Sequence, residues 1–362
     1  MIQYNVEIFD GEFDLISHTN TSGIQYSEDY ISPVTNKITI LNSPVSKGNY
    51  IRIQGGEKDY FGVVRSVASQ SEKIITVEYG SFLSVLSTPV VFDTDLQGTS
   101  TLEQVIADLI TETFISSSDS VQNVSGLSVE TISETSDWGF NLKSDTEGKH
   151  TCIINLYDTI LVRALQEYGV AVRVTPNIQA KTIVLTVGVP DDAEKVIEAD
   201  LPNIIDKNIV IKETDNDVNK LVVYNTENYT TKRTYYRHTD DTYDTIDDDR
   251  ITPVVQSIEG VAPEYNGDVV SRTFVQVANS KAAEVFGAIK FNNLIELAVT
   301  NDDSMVKPSN MDIGQKVVVK SKGKEYESIL TGYTVGQTTL LVFGTIRLDL
   351  TKIVKRRARS GY

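Results

Sequence analysis

Apolar and polar residues alternate over short runs along much of this chain. Ile2, Tyr4, Val6 and Ile8 fall on one face and Gln3, Asn5 and Glu7 on the other, the period-two pattern of a half-buried strand. Asp10-Gly11 supplies a two-residue hairpin turn before Phe13 and Leu15, and a further strand spans 37–41. Residues 48–80 then read as three strands separated by polar, Gly-bearing turns, a β-meander. Residues 314–346 repeat that reading without a gap. Ile51 and Ile53 meet Val317 and Val319, Tyr60 meets Tyr326, and Val63 and Val64 meet Ile329 and Leu330. Ile74, Ile75 and Val77 meet Leu340, Leu341 and Phe343. Identity is confined to Gly48, Lys58 and Tyr60, so the pattern carries the expectation of a duplicated unit.

The period changes in between. Ser100 to Glu103 fits a capping box, and Leu102, Val105, Ile106, Leu109, Ile110 and Phe114 recur at helical spacing up to a Ser-rich stretch at 116–120. A second helix is predicted over 156–168, with Ile160, Leu161, Ala164 and Leu165 inward and Gly169 as its C-terminal cap. A hairpin follows, with strands at 170–175 and 182–187 and a turn at Pro176-Asn177. Strand pattern returns at Ile209, Val210 and Ile211 and at Leu221, Val222 and Val223. A helix is expected over 280–299, on Val285, Phe286, Ile289, Leu294 and Ile295, weakened by Gly287 and Asn292-Asn293.

These elements predict a mainly β chain with α+β parts. A first β-barrel covers 1–92 and an α+β domain 93–205. A discontinuous second barrel covers 206–225 and 308–348, with an α+β domain inserted at 226–307 and a basic tail at 349–362. At 362 residues the chain exceeds what one core usually serves.

Charge narrows the function. A net charge of −17 argues against a general phosphate-backbone binder, although acidic walls suit a conduit to which DNA must not stick. The basic run Lys352, Lys355, Arg356, Arg357 and Arg359 reads as a solvated or partner-facing end. The single cysteine, Cys152, excludes an internal disulfide and sits in an apolar strand pattern. Residues 1–5 lack the basic-then-apolar run of a secretory leader, and no apolar stretch approaches about 18 residues. A cytoplasmically made, soluble protein without a membrane span is expected.

The search for chemistry finds no candidate catalytic, cofactor-binding or metal-ligating residue. His18, His150 and His238 are scattered, with no metal-binding spacing. No nucleotide-binding glycine loop or nucleophile elbow occurs, and Gly55-Gly56 reads as a turn. The densest acids, Asp240, Asp241, Asp244, Asp247, Asp248 and Asp249, read as a hydrated loop; calcium is conceivable there, but the spacing is not that of an EF-hand. The predicted role is structural, not enzymatic.

The C-terminal third carries more specific signals. In order they are Asn292-Asn293-Leu294-Ile295-Glu296-Leu297, Asp312-Ile313-Gly314-Gln315, Tyr326-Glu327-Ser328-Ile329-Leu330-Thr331-Gly332, and Phe343-Gly344-x-x-Arg347-x-x-Leu350-Thr351-Lys352. Together they resemble the baseplate-hub proteins of tailed bacteriophages, including the N-terminal module of tail-associated lysozyme (Tal) proteins. The resemblance implies two similar barrels, the second interrupted, with an α+β domain between them. It also implies a homotrimer at the tail tip, whose six barrels join a sixfold tail tube to a threefold tip around the DNA-ejection channel. The implied partners are a distal tail protein ring or tail-tube hexamer, the tape-measure protein, and a tail fibre or receptor-binding protein for host attachment. The implied location is the virion, with no cofactor and no sequence-specific nucleic-acid contact. The chain stops soon after Lys355-Arg356-Arg357, where longer relatives continue, so lytic activity is not carried over.

The competing reading is a carbohydrate-binding or cell-wall-hydrolysing β-rich protein. Its aromatic platform would be Tyr229, Tyr235, Tyr236 and Tyr243 beside the acidic loop, against packing within the inserted domain or on a neighbouring subunit.

Overall fold

The computed structural model describes residues 3–56, 58–69, 71–93, 96, 100–136, 138–140, 151–190, 195–211, 218–239, 243–266, 269–286, 291, 293–301 and 306–347. The fold is mainly β and includes a nearly closed barrel. His150, Asp240, Asp241, Gly287, Ile289, Asn292 and the basic run beyond Arg347 lie outside the described residues.

The first sheet is built from β1 (Gln3–Phe9), β2 (Leu15–Ser22), β4 (Asn36–Leu41), β5 (Tyr50–Gln54), β6 (Tyr60–Ser69) and β7 (Ile74–Ser81), in the order β2-β1-β5-β6-β7-β4. A short strand before β4, β3 (Tyr26–Asp29), leaves this sheet. Tyr4, Val6 and Ile8 are buried as their alternation requires, each worth about 1.5–3 kcal/mol of apolar burial. The β1–β2 turn is longer than the two residues expected. The Asp10 carboxylate accepts the N–H groups of Glu12 and Asp14 at 2.9 and 2.8 Å, and Phe13 takes a positive φ of 64°.

The α+β part follows. β8 (Pro89–Asp93) pairs with β10 (Thr151–Asn155), and β11 (Ala171–Asn177), β12 (Thr182–Gly188) and β9 (Leu127–Thr131) form a three-stranded sheet. Helix α1 (Leu102–Ile110) continues through a π-type turn at Thr111–Ile115. Its cap differs from the expected box. Thr101 Oγ1 accepts from the Gln104 N–H at 3.3 Å, while Glu103 turns inward to residues 133–135. The second helix forms as wide turns at Leu156–Leu161 and Ala164–Tyr168, and Gly169 ends it at φ 76° as predicted. The hairpin turn lies beyond Pro176-Asn177, which stay in the ladder opposite Ile183 and Thr182; the N–H of Lys181 closes it on the carbonyl of Ile178.

The second large sheet begins with β13 (Lys195–Glu198) and β14 (Ile204–Ile211). A small unit then intervenes. β15 (Lys220–Asn225), β16 (Lys232–Arg237), β17 (Tyr243–Asp244) and β18 (Gln256–Val261) form one sheet, and β19 (Glu264–Asn266) pairs with β20 (Val269–Arg272). α2 (Phe274–Phe286) packs Ala278, Ala282 and Phe286 onto Leu221, Val223 and Tyr235. Then β21 (Asn293–Thr300), β22 (Lys316–Ser321), β23 (Lys324–Val335) and β24 (Thr338–Phe343) complete the sheet β13-β22-β23-β24-β21-β14.

Two expectations are corrected here. Residues 220–225 pair within the small unit, not with the second large sheet. The helix expected over 280–299 is α2 followed by a strand. Ile295, Leu297 and Val299 are fully buried at period two, which a helix would have spread around its axis.

The repeat is real at the level of register. Ile53 faces Tyr60 as Val319 faces Tyr326, an offset of 266 between the copies (Tyr326 against Tyr60). A bulge falls at the same place in each, between Val64 and Ser66 and between Leu330 and Gly332. The lead-in loops also match. The N–H of Gly48 (φ 93°) binds the carbonyl of Val64, and that of Gly314 (φ 90°) binds the carbonyl of Leu330. In the third strand the offset falls to 264, with Phe343 against Tyr79, because the turn between β6 and β7 is two residues longer. Ile75, Val77 and Tyr79 thus correspond to Thr339, Leu341 and Phe343. A shift of two keeps the same face inward.

Candidate functional site

Three units meet along the segment 26–30. β3 pairs antiparallel with the far half of β23, Asp29 opposite Gly332, Glu28 opposite Tyr333, Ser27 opposite Thr334 and Tyr26 opposite Val335. Only Tyr26 of these four residues is apolar, so the pairing comes from the neighbours and not from strand pattern. Tyr30 follows, fully buried. Its N–H binds the Thr331 carbonyl at 2.8 Å, its carbonyl accepts from Tyr157 Oη at 2.8 Å, and its Oη accepts the Val172 N–H at 3.1 Å. Burial drives the Tyr30 phenol far above its ordinary value, so it stays a neutral structural contact.

The motif residues of the C-terminal third cluster at this junction. Arg347 donates Nε to Asp29 Oδ2 at 2.6 Å and NH2 to Asp29 Oδ1 at 2.9 Å, and NH2 also reaches Thr331 Oγ1 at 2.8 Å. Asn293 accepts from Ser328 Oγ at 2.6 Å and donates to the Glu327 carbonyl at 2.8 Å. A Cβ on Gly344 would lie 2.0 Å from the Asn293 carbonyl oxygen, so glycine is required there. These residues lock β21, β23, β24 and β3 together; none forms a catalytic pair.

Beside the junction lies a cavity of about 530 Å³, lined among others by Glu28, Arg52, Lys58, Arg173, Asp312 and Tyr333. Lys58 Nζ stands 3.5 Å from Asp312 Oδ1 and 5.4 Å from the centre of the Tyr333 ring. Arg173 NH1 is 3.6 Å from Asp312 Oδ2. Glu28 accepts from Tyr333 Oη at 2.6 Å and from Ser81 Oγ at 2.7 Å. Burial lowers the Lys58 ammonium below its ordinary value, and Asp312 and Glu28 oppose that shift. Acids and bases from the first sheet, the α+β part and the second large sheet lie interleaved there. In the sequence Lys58 stands out only as an identity between the repeats, and Asp312 and Arg347 only as motif members. Nothing in the sequence marked Glu28 or Asp29.

The remaining candidates are quieter. Cys152 is buried in β10, and His18 is exposed on β2. His238 places Nδ1 2.8 Å from the Asp248 carbonyl and Nε2 3.1 Å from Asp244 Oδ1. Asp247 pairs with Arg250 at 3.1 Å and Asp249 accepts from Thr239 at 2.7 Å, so these acids are tied within their own loop. Among the described residues no group of acids, histidines or cysteines is arranged to hold a metal. Of the proposed sugar platform, Tyr235 is buried with its Oη on Asn279, Tyr243 lies tilted against Phe286 with ring centres 5.4 Å apart, and Tyr229 is exposed. Among the described residues no helix is long and apolar enough to cross a membrane.

No family model and no curated protein matches the chain. Solved structures share its fold. The 43 kDa tail protein of prophage MuSo2 from Shewanella oneidensis aligns at a TM-score of 0.52 and 14% identity, over 94% of this chain and 98% of that one. A tail protein from Neisseria meningitidis aligns at 0.50 and 13%, over 94% and 96%. The prophage tail protein gp18 from Listeria monocytogenes aligns at 0.50 and 12%, over 98% of both chains. The chain therefore has the fold of phage tail proteins along nearly its whole length.

Proposed function

We propose that this chain is a structural subunit of a phage tail tip, a homotrimeric hub that adapts a sixfold tail tube to a threefold tip and surrounds part of the DNA-ejection channel. One observation carries the reading: the two meanders agree in pairing register, in the position of the bulge and in the lead-in loop. Two like modules per chain give three copies six comparable surfaces, which is what a sixfold ring requires of a threefold partner. We read the two large sheets as those modules, and the small unit between β14 and β21 as the insertion. The salt-bridged junction supports a fixed angle between modules, without which a ring could not close. The acidic surface suits a channel for DNA.

The partners that follow are a distal tail ring or tail-tube hexamer above and the tape-measure protein within. A fibre or receptor-binding protein lies below, and the location is the virion. The test is the mass of the purified full chain at moderate salt, alone and mixed with a hexameric tail-tube protein. A trimer that binds the hexamer as one trimer per ring is the expected result. A chain that stays monomeric at high concentration and ignores the hexamer contradicts the proposal.

A further inference from the structure

The two meanders differ on one side of their long strand. β23 is flanked there by two strands end to end, β22 over 324–329 and β3 over 332–335. In the first copy β5 covers 60–63 of β6, and the bonds from Gly48 and Asn49 extend that cover to Val64. The stretch of β6 that corresponds to 332–335 is 66–69. Among the described residues no strand pairs with it on that side. Exposure follows the difference. Thr331, Gly332 and Tyr333 are buried, whereas their counterparts Arg65 and Ser66 are exposed and Val67 is half-buried.

Arg65 is the second observation. In the second module the Arg347 guanidinium sits at Gly344, NH1 3.0 Å from its carbonyl, and grips Asp29 of the incoming strand β3. Gly80 is the counterpart of Gly344: it lies opposite Val63, as the Gly344 N–H binds the carbonyl of Ile329. The Arg65 guanidinium lies against Gly80, where a Cβ would stand 2.6 Å from Nε and 2.9 Å from NH2. Each module thus sets a guanidinium beside its glycine, at the strand that flanks β6 or β23 on the side opposite this edge. In the second it holds a carboxylate of the docked strand. In the first it has no carboxylate partner among the described residues.

We infer that the open edge of β6 at 66–68 takes an antiparallel edge strand from a second copy of this chain, with a carboxylate of that strand set against Arg65. The occupant is a copy of the chain because the matching edge is already filled by a like module, through the interface between β3 and β23. That interface continues, in a ring of alternating modules, onto β6 of the next copy. A chain of net charge −17 also offers carboxylates on its neighbouring faces. The inference rests on the ring reading above.

Hydrogen exchange of the full chain, measured by mass spectrometry below and above its assembly concentration, tests it. The expected result is that amides at 66–68 slow by about tenfold or more on assembly. Arg65→Glu, at an exposed position, leaves the monomer's circular dichroism unchanged and raises the assembly concentration about tenfold or more, as loss of one interfacial charge pair does. Oligomers whose 66–68 amides exchange as in the monomer overturn the inference and leave the ring reading standing. A chain monomeric at every concentration overturns both. Protection that appears only with a different tail protein overturns the second-copy occupant, and unchanged assembly of Arg65→Glu overturns the carboxylate contact.

Discussion

Arg347 and Asp29, 318 residues apart in sequence, meet in a two-point ion pair that clasps β3 to the second large sheet. Both side chains are about four-fifths shielded from solvent, at 21% and 17% exposure, so removing either leaves a poorly hydrated charge unpaired. Arg347→Ala and Asp29→Ala should each lower stability by about 3 kcal/mol, and the double variant by clearly less than the sum. Arg347→Lys should not restore the loss, because lysine cannot present the two-pronged fork. Urea unfolding of the four proteins checks this.

The matched lead-in glycines should respond unequally. A Cβ at Gly48 meets nothing within 4 Å, whereas one at Gly314 lies 2.8 Å from Ala171 Cβ. Gly48→Ala should cost about 1 kcal/mol of backbone strain alone, and Gly314→Ala about 2–3 kcal/mol, with the clash added. Equal losses in chemical denaturation would contradict the packing described for Gly314.

Glu103 is a fully buried carboxylate that accepts from Ser133 Oγ at 2.6 Å, Thr135 N–H at 2.7 Å and Thr135 Oγ1 at 2.9 Å. Burial raises its pKa, but the bonds from Ser133 and Thr135 outweigh that and hold it below the ordinary carboxylate value. A depressed folded value means that its stabilisation is present above the unfolded pKa of about 4.3 and is lost as pH falls through the folded value. Glu103→Ala should cost about 2–3 kcal/mol at pH 7. Its deficit should shrink below about pH 4, measured by thermal unfolding across pH.

Both ring nitrogens of His238 face acceptors, yet a neutral imidazole donates from only one. The hydrogen bond to Asp244 raises its pKa, burial opposes this, and Asp248 adds to the rise through its carbonyl and its carboxylate, 3.7 Å from Nδ1. With a raised folded value, the clasp is fully present below about pH 6.5 and loosens as pH rises through the folded value. Proteolysis within 243–250 should therefore quicken as pH rises above about 6.5. In His238→Gln it should be fast at every pH.

The sequence made the repeat legible because inward residues recur at period two, and a gapless offset happens to hold through β5 and β6. It failed in the third strand because turn length is invisible to an apolar pattern. Leu294 to Val299 looked helical because a short apolar run fits either period; the burial of Ile295, Leu297 and Val299 against β24 decides for a strand. β3 was hidden for the opposite reason. Tyr26-Ser27-Glu28-Asp29 has almost no strand pattern, and its place is set by residues some three hundred positions away. The junction was legible only through the motif members Asp312, Thr331, Gly344 and Arg347, whose partners no local pattern reveals.

The central claim is that two like modules per chain close into a ring of three chains. Light scattering coupled to size exclusion, at moderate salt and over a wide range of concentration, tests it most directly. Three copies carry a net charge of −51, three times −17, so low ionic strength should loosen the assembly and added salt restore it. Three times the 40.1 kDa chain mass is the expected limit at high concentration. A chain that remains at its monomer mass throughout, with or without a hexameric tail-tube ring, would contradict the claim.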